Sequence, residues 1–374
     1  EIEMKVVVPA NSSISDVSEL TNVQAPTSAD ESNINALITN IKSEKGVELT
    51  VDPVDSYQSA YENLINGSSQ AMVLNSSYSS LLELSYNDYE SNLKTIYTYK
   101  IKKAIEDTAK TTDKNVFNIY ISGIDTSGAV STVSRSDVNL ILTVNMNTHK
   151  ILMTTTPRDS YVRIPDGGAD QYDKLTHAGI YGIETSVKTL ENLYDIPINY
   201  YSRLNFTSFV KLINALGGVT VYNDQAFTSL HGNYNFGVGN INLTSGEEAL
   251  GFVRERYSLE HGDYDRGNNQ LKVIQAIVEK LTSFQSVSNY SDVISTLQDS
   301  IQTNMPLNTM MSLVNEQLDS GKTFIFSSQE VTGTGSTGQL TSYAMPNASL
   351  YMIQLDDASV AKASQAIKNV MEGK

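Results

Sequence analysis

The chain has 374 residues, of which 40% are apolar and 18% charged, and a formal net charge of −16. That acidity argues against a sequence-independent nucleic-acid surface, which needs a basic footprint. The absence of cysteine excludes disulfides, thiol catalysis and cysteine-ligated zinc.

The length suggests about two domains. No apolar run reaches the roughly 18 residues that read as a membrane span. The chain opens at Glu1 with neither an initiator methionine nor a signal peptide, so the expectation is a soluble piece of something longer.

Residues 1–112 read as a small α/β unit. Strand signals at Lys5–Ala10, Val47–Asp52 and Ala71–Asn75 alternate with helical patterns at Glu31–Lys45 and Ser56–Asn66. This order predicts a parallel sheet with crossover helices. The unit holds 16 acidic and eight basic residues, so it would not attract an acidic partner. The polar stretch Ile105–Lys114 predicts a boundary, with 113–374 as the second and larger domain.

That domain opens with strand signals at Val116–Ile124, Val138–Asn145 and Lys150–Thr156. The short turn at 146–149 makes the second and third antiparallel. If the first pair is antiparallel too, the chain runs up, down, up. One edge of the sheet then gathers Asp125, Arg135, Asp137 and Arg158 from three separate stretches. This cluster has two readings. One is a structural salt-bridge network. The other is a divalent ion on Asp125 and Asp137 with the arginines holding phosphates. Mg²⁺ suits the second, since it takes one or two carboxylates, waters and phosphate oxygens. His149, His177, His231 and His261 lack zinc-ligand spacing.

All seven arginines lie between Arg135 and Arg266. Arginine's planar fork matches phosphate oxygens two at a time, so the distribution points to a phosphate or pyrophosphate site. Arg203–Leu216, closed by Gly217-Gly218, reads as a helix with a broad apolar face that includes Phe209 and Leu212. A core face is its ordinary meaning, and a lipid pocket the alternative. A capping box near Thr244–Glu248 starts a helix whose end must free Arg254 and Arg256 to share a target. His261–Arg266 reads as a loop and Asn268–Thr282 as a helix; Arg266 and Gln270 share a face if that helix starts early. Gln329–Thr341, rich in glycine, reads as an exposed loop.

Several motifs together resemble the LytR-CpsA-Psr family of cell-wall glycopolymer transferases. They are Ser134-Arg-Ser-Asp137, Thr156-Pro-Arg-Asp-Ser-Tyr-Val162, and Lys174 with Ala178 in DKLTHAGIYG. Phe209–Val219, Gly246–Arg256 and Asp263-Tyr-Asp-Arg-Gly-Asn-Asn-Gln270 continue the series. The similarity runs from about Asn115 to Val370. Within the family the chain is most similar to streptococcal capsule-biosynthesis members, which carry an extra domain before the catalytic one.

The resemblance implies an α/β/α sandwich with a mixed central sheet, preceded by the smaller α/β accessory domain, and a hydrophobic pocket for a polyprenyl chain. It implies a phosphotransferase that moves a glycopolymer from undecaprenyl pyrophosphate to peptidoglycan. Mg²⁺, or Mn²⁺ in its place, would sit on Asp125 and Asp137. Arg135, Arg158, Arg254, Arg256 and Arg266 would hold the pyrophosphate with Gln270 beside them, and Phe209 and Leu212 would line the pocket. Family members work outside the cytoplasmic membrane of mostly Gram-positive bacteria, held by an N-terminal anchor.

Asp263 is the candidate base because it lies among the arginines; orienting Arg256 or Arg266 is its alternative role. Family members often have a denser Arg and Gln run than Arg266-Gly-Asn-Asn-Gln270. Arg163 and Arg203 match no functional position and read as surface. A hydrolase of the same lipid pyrophosphate would use the same residues, and a non-catalytic module that binds lipid-linked sugar is the alternative from a different class.

Overall fold

The computed structural model describes residues 2–102, 113–124, 137–282 and 290–374. Most of the predicted boundary at 105–114 lies outside these, as do Asp125 and Arg135. In the first unit, strands β1 (Ile2–Pro9), β2 (Asn22–Ala25), β3 (Thr50–Pro53), β4 (Met72–Asn75) and β5 (Leu93–Ile101) form a sheet ordered β3-β2-β4-β1-β5. Helices α1 (Glu31–Lys45), α2 (Tyr57–Ile65) and α3 (Ser79–Ser85) accompany it.

β2 runs parallel to β3 and β4, but β1 is antiparallel to β4 and β5. The sheet is therefore mixed, and the expected all-parallel arrangement is corrected. A parallel β1 would need a crossover helix, whereas residues 10–21 supply only one short 3₁₀ turn at Val17–Glu19. Two strands escape the sequence reading. β2 is four residues long and half polar, and β5 (LKTIYTYKI) alternates along the sheet edge.

The second unit begins with β6 (Val116–Ile124), β7 (Val138–Asn145) and β8 (Lys150–Thr155), followed by the hairpin β9 (Tyr161–Ile164) and β10 (Gln171–Lys174). Then come α4 (Leu175–Ala178), α5 (Ile183–Tyr194), β11 (Tyr200–Asn205) and α6 (Phe206–Leu216). Small hairpin strands β12 (Val219–Asn223), β13 (Phe227–Thr228), β14 (Asn235–Phe236) and β15 (Gly239–Leu243) lead to α7 (Gly246–Arg254) and α8 (Gly262–Thr282). The chain ends with α9 (Tyr290–Ser300), β16 (Gln302–Thr303), α10 (Leu307–Ser320), β17 (Ile325–Glu330), β18 (Gly333–Thr337), β19 (Tyr351–Leu355) and α11 (Asp357–Met371).

The central sheet is ordered β16-β11-β6-β7-β8-β17. β6–β7 and β7–β8 are antiparallel, whereas β11–β6 and β8–β17 are parallel. The first three strands do run up, down, up. Alternation along them sorts the core. Phe117, Ile121, Leu142 and Val144 pack with Ile274 of α8 on one face, and Tyr120, Ile141 and Leu152 with Leu190 of α5 and Ile367 of α11 on the other. The result is an α/β/α sandwich with both sheet faces covered, which explains the nearly unbroken apolar run of β6.

Two predicted elements shift. The helix expected from Arg203 starts at Phe206, because the Asn205 side chain accepts from Ser208 N and caps it. Arg203 therefore belongs to β11 and is 3% exposed, not surface. The stretch 329–341 is also no plain loop: β17 reaches Glu330, and Gly333–Thr337 pairs with Tyr351–Leu355. Ile180, Ala344, Met345, Leu350 and Met352 of the second unit pack into the apolar core of the first, and the Tyr78 and Tyr181 rings meet at 6.3 Å.

Candidate active site

The antiparallel registers Gly123↔Val138 and Leu140↔Thr155 bring the end of β6, the start of β7 and the end of β8 to one edge. The parallel neighbours add Asn205 of β11, opposite Ile124, and Glu330 of β17, opposite Thr155. At this edge Arg158 Nη1 donates to Asp137 Oδ1 at 2.8 Å. Arg158 Nε lies 3.7 Å from Asp159, and Lys174 Nζ reaches the same Asp159 oxygen at 3.2 Å. The Lys174 side chain is 9% exposed. The turn that presents Arg158 is pinned from behind, since Thr176 N donates to the Arg158 carbonyl and Leu175 N to that of Ser160.

α7 ends at Arg254, and Glu255 is extended (φ −69°, ψ 136°). This is the break that lets Arg254 and Arg256 leave the alternation of one helix. The Arg254 guanidinium sits 4.9 Å from the Phe206 ring centre, and Arg256 sits 4.9 Å over Tyr257 while donating to its hydroxyl at 3.0 Å. α8 starts at Gly262, so the expected loop 261–266 is largely helical. The early start places Arg266 and Gln270 one turn apart, and both line the same cleft. Asp263 lies in the first turn of α8, but its side chain lies outside the described residues.

Three neighbouring spaces run from this edge, each sharing lining residues with the next. A polar cleft of about 130 Å³ is walled by Asp137, Arg158, Asp159, Arg266, Gln270 and Glu330 among others. A neck of about 50 Å³ shares Asp137, Val138 and Gln270 with the cleft and includes Phe206 and Phe209. The neck in turn shares Leu204 and Ile274 with an apolar cavity of about 270 Å³. That cavity lies between the sheet (Phe117, Leu142), Leu212 of α6, Ile277 of α8 and Leu313 of α10. Its lining gives water few polar partners, the condition for holding an apolar ligand instead. Leu212 lines the cavity and Phe209 the neck, and both are also core residues.

Sequence reasoning missed Glu330 altogether. Its place at the edge depends on a parallel pairing between strands 175 residues apart, the separation of Gln329 and Thr154 in the neighbouring pair, and no local pattern carries that. Asp159 and Lys174 stand inside quoted motifs, but their ion pair depends on the β9–β10 hairpin folding back on Arg158.

The LytR_cpsA_psr family model matches residues 81–359, and a model described as DNA polymerase processivity factor matches residues 1–74. The polyisoprenyl-teichoic acid–peptidoglycan teichoic acid transferase TagU of Enterococcus faecalis is 33% identical over 282 residues, 74% of this chain and 87% of that protein. Among solved structures, B. subtilis TagV is similar with a TM-score of 0.59 at 24% identity, covering 70% of this chain and 99% of that one. TagT bound to LI-WTA is similar with a TM-score of 0.55 at 28% identity, covering 71% and 95%. The 81–359 match takes in every element that builds the cleft, the neck and the cavity. The chain therefore belongs to the LytR-CpsA-Psr family and is a transferase of that type.

Proposed function

We propose that this transferase moves a capsular polysaccharide or related glycopolymer from an undecaprenyl pyrophosphate carrier to peptidoglycan, through a phosphodiester link, on the outer face of the cytoplasmic membrane. The observation that carries the reading is the succession, along one sheet edge, of an arginine-lined cleft, a narrow neck and an apolar cavity that share lining residues. A lipid pyrophosphate has that same division into a charged head and an apolar tail.

Phosphoryl transfer asks the protein mainly for positioning and positive charge. Arg158 and Arg266, with Gln270, hold the phosphates inside the cleft. Arg254, beside the Phe206 ring that borders the neck, and Arg256, on Tyr257, would add positive charge from the exposed end of α7, as would Arg135, which lies outside the described residues. Asp137 orients Arg158 through their ion pair.

The donor set suits a hard divalent ion. Asp137 lines both cleft and neck, and Mg²⁺ needs only one or two carboxylates beside phosphate oxygens. Asp137 would hold Mg²⁺ or Mn²⁺ together with Asp125, and the ion would neutralise pyrophosphate charge. Among the described residues no group of three or more His, Cys, Asp or Glu gathers as a metal site, so the proposed site depends on substrate oxygens.

The test is product analysis with an undecaprenyl pyrophosphate oligosaccharide, Mg²⁺ and a peptidoglycan oligomer. A glycan–peptidoglycan phosphodiester is the expected product. Lipid phosphate released equally without acceptor would make the protein a pyrophosphatase, and binding without turnover would make it a regulatory module.

A further inference from the structure

We propose that Glu330 is the general base that takes the proton from the acceptor hydroxyl. The inference rests on the transferase reading above. It follows from the order of the parts along the sheet edge. The neck is walled by Asn205 of β11, Gly123 and Ile124 of β6, and Asp137 and Val138 at the start of β7. The cleft begins at the same Asp137 and Val138 and continues along Thr155–Asp159 to Glu330 of β17. The lipid end of the substrate therefore lies toward β11 and β6, and Glu330 stands at the opposite end.

Displacement at phosphorus needs the attacking and leaving oxygens roughly in line. The leaving group is the lipid monophosphate, which exits on the neck side. The acceptor oxygen must then arrive from the β17 side. Glu330 is the carboxyl on that side, and it is exposed enough for a polymer hydroxyl to approach.

The other described carboxylates of the cleft are engaged. Asp137 pairs with Arg158, and Asp159 pairs with Lys174 and Arg158. Among the described residues the Glu330 side chain has no hydrogen-bond or ion-pair partner. Partial desolvation against the cleft wall raises its carboxyl from its ordinary value, the direction that favours a general base. The charged groups sharing the cleft with it are Arg158, Arg266, Asp137 and Asp159.

In the step, the acceptor oxygen bonds to the phosphorus that carries the glycopolymer. The bridging P–O bond to the lipid-side phosphate breaks, and its electron pair leaves with the lipid monophosphate. The acceptor proton passes to Glu330, which later releases it to water.

The experiment compares wild type, Glu330→Gln, Glu330→Asp and Asp263→Asn in the transfer assay with undecaprenyl pyrophosphate oligosaccharide, Mg²⁺ and peptidoglycan oligomer. Glu330→Gln is expected to lower kcat by roughly 10²–10⁴-fold. Its Kd for undecaprenyl pyrophosphate and its melting temperature should match wild type, and Glu330→Asp should recover part of the rate. Wild-type activity should fall as pH drops through the Glu330 pKa, and that acid limb should vanish in Glu330→Gln. Wild-type transfer matched by Glu330→Gln, or a loss seen only in Asp263→Asn, overturns the assignment of the base. Loss of undecaprenyl pyrophosphate binding in Glu330→Gln also overturns it. Absence of transfer by wild type sinks the transferase reading itself.

Discussion

Arg158 and Asp137 meet at 2.8 Å, side chains 29% and 10% exposed, although 21 residues of chain separate them. One carboxylate thus serves two cations in turn: the guanidinium that orients on it, and the divalent ion proposed to bind beside it. The pair holds the Arg158 guanidinium at the edge of the cleft that both residues line.

Asp137→Ala is expected to lower Mg²⁺-dependent turnover roughly a hundredfold or more. Binding of undecaprenyl pyrophosphate should weaken far less, because the arginines remain. Titrating turnover with Mg²⁺ and measuring donor affinity by calorimetry separate the two effects. Unchanged turnover in the variant would remove Asp137 from the metal site.

Arg158→Ala and Arg256→Ala should each lose roughly a hundredfold in kcat, as expected for one charge-assisted contact in the transition state. They should differ in stability. Arg158 is partly buried between Asp137 and Asp159, so its removal should also cost about 1–2 kcal/mol; Arg256 lies exposed on Tyr257 and its loss should not move the melt. Arg163→Ala is the control, since Arg163 is exposed and stacks on Tyr172, 5.6 Å from its ring centre. A similar fall in all three rates would mean that the arginines act as a diffuse field.

Leu212→Trp probes the cavity. The added ring has about 270 Å³ of apolar space to enter, so stability should change by less than about 1 kcal/mol, the lower end of ordinary overpacking. Affinity for undecaprenyl phosphate should drop at least roughly tenfold while metal dependence persists. Unaltered lipid affinity would show that the chain does not occupy this space.

Arg203 gives a prediction that reverses its sequence-based reading. It is 3% exposed, its Nη2 has no hydrogen-bond partner, and burial pulls its pKa down to about 10, so it stays charged at neutral pH. A poorly compensated buried cation is costly. Arg203→Met, which keeps much of the volume, should leave the melt unchanged or raise it. Arg203→Ala should lower it by a few kcal/mol through the void it leaves. A Met variant less stable than the Ala variant would show that the guanidinium itself supports the fold.

The elements that fix the site edge were legible because their signals are local. β6 and β7 match the predicted spans to the residue, and the short turn at 146–149 determined the direction of β8. The convergence of Asp137 with Arg158 followed from strand direction alone. Long-range pairing was not legible. Nothing near Glu330 marks it as the neighbour of Thr155, and nothing near Arg203 marks the polar interior around it. The start of α8 was missed because Gly262 and Asp265 read as loop residues. In the structure the Asp265 carboxylate accepts from His261 N and from Gln225, which ties down the helix start.

The core of the first unit is closed by side chains that arrive late in the chain. Ala344, Met345, Leu350 and Met352 reach back into it, and Asp173 accepts hydrogen bonds from Ser342 Oγ and Ala344 N to hold that returning segment. A cut near residue 113 would therefore not release a self-sufficient module. It would strip both halves of shared apolar cover, so the two units should melt in one cooperative transition. Evolutionary exchange of the first unit would have to carry the matching face of the second with it.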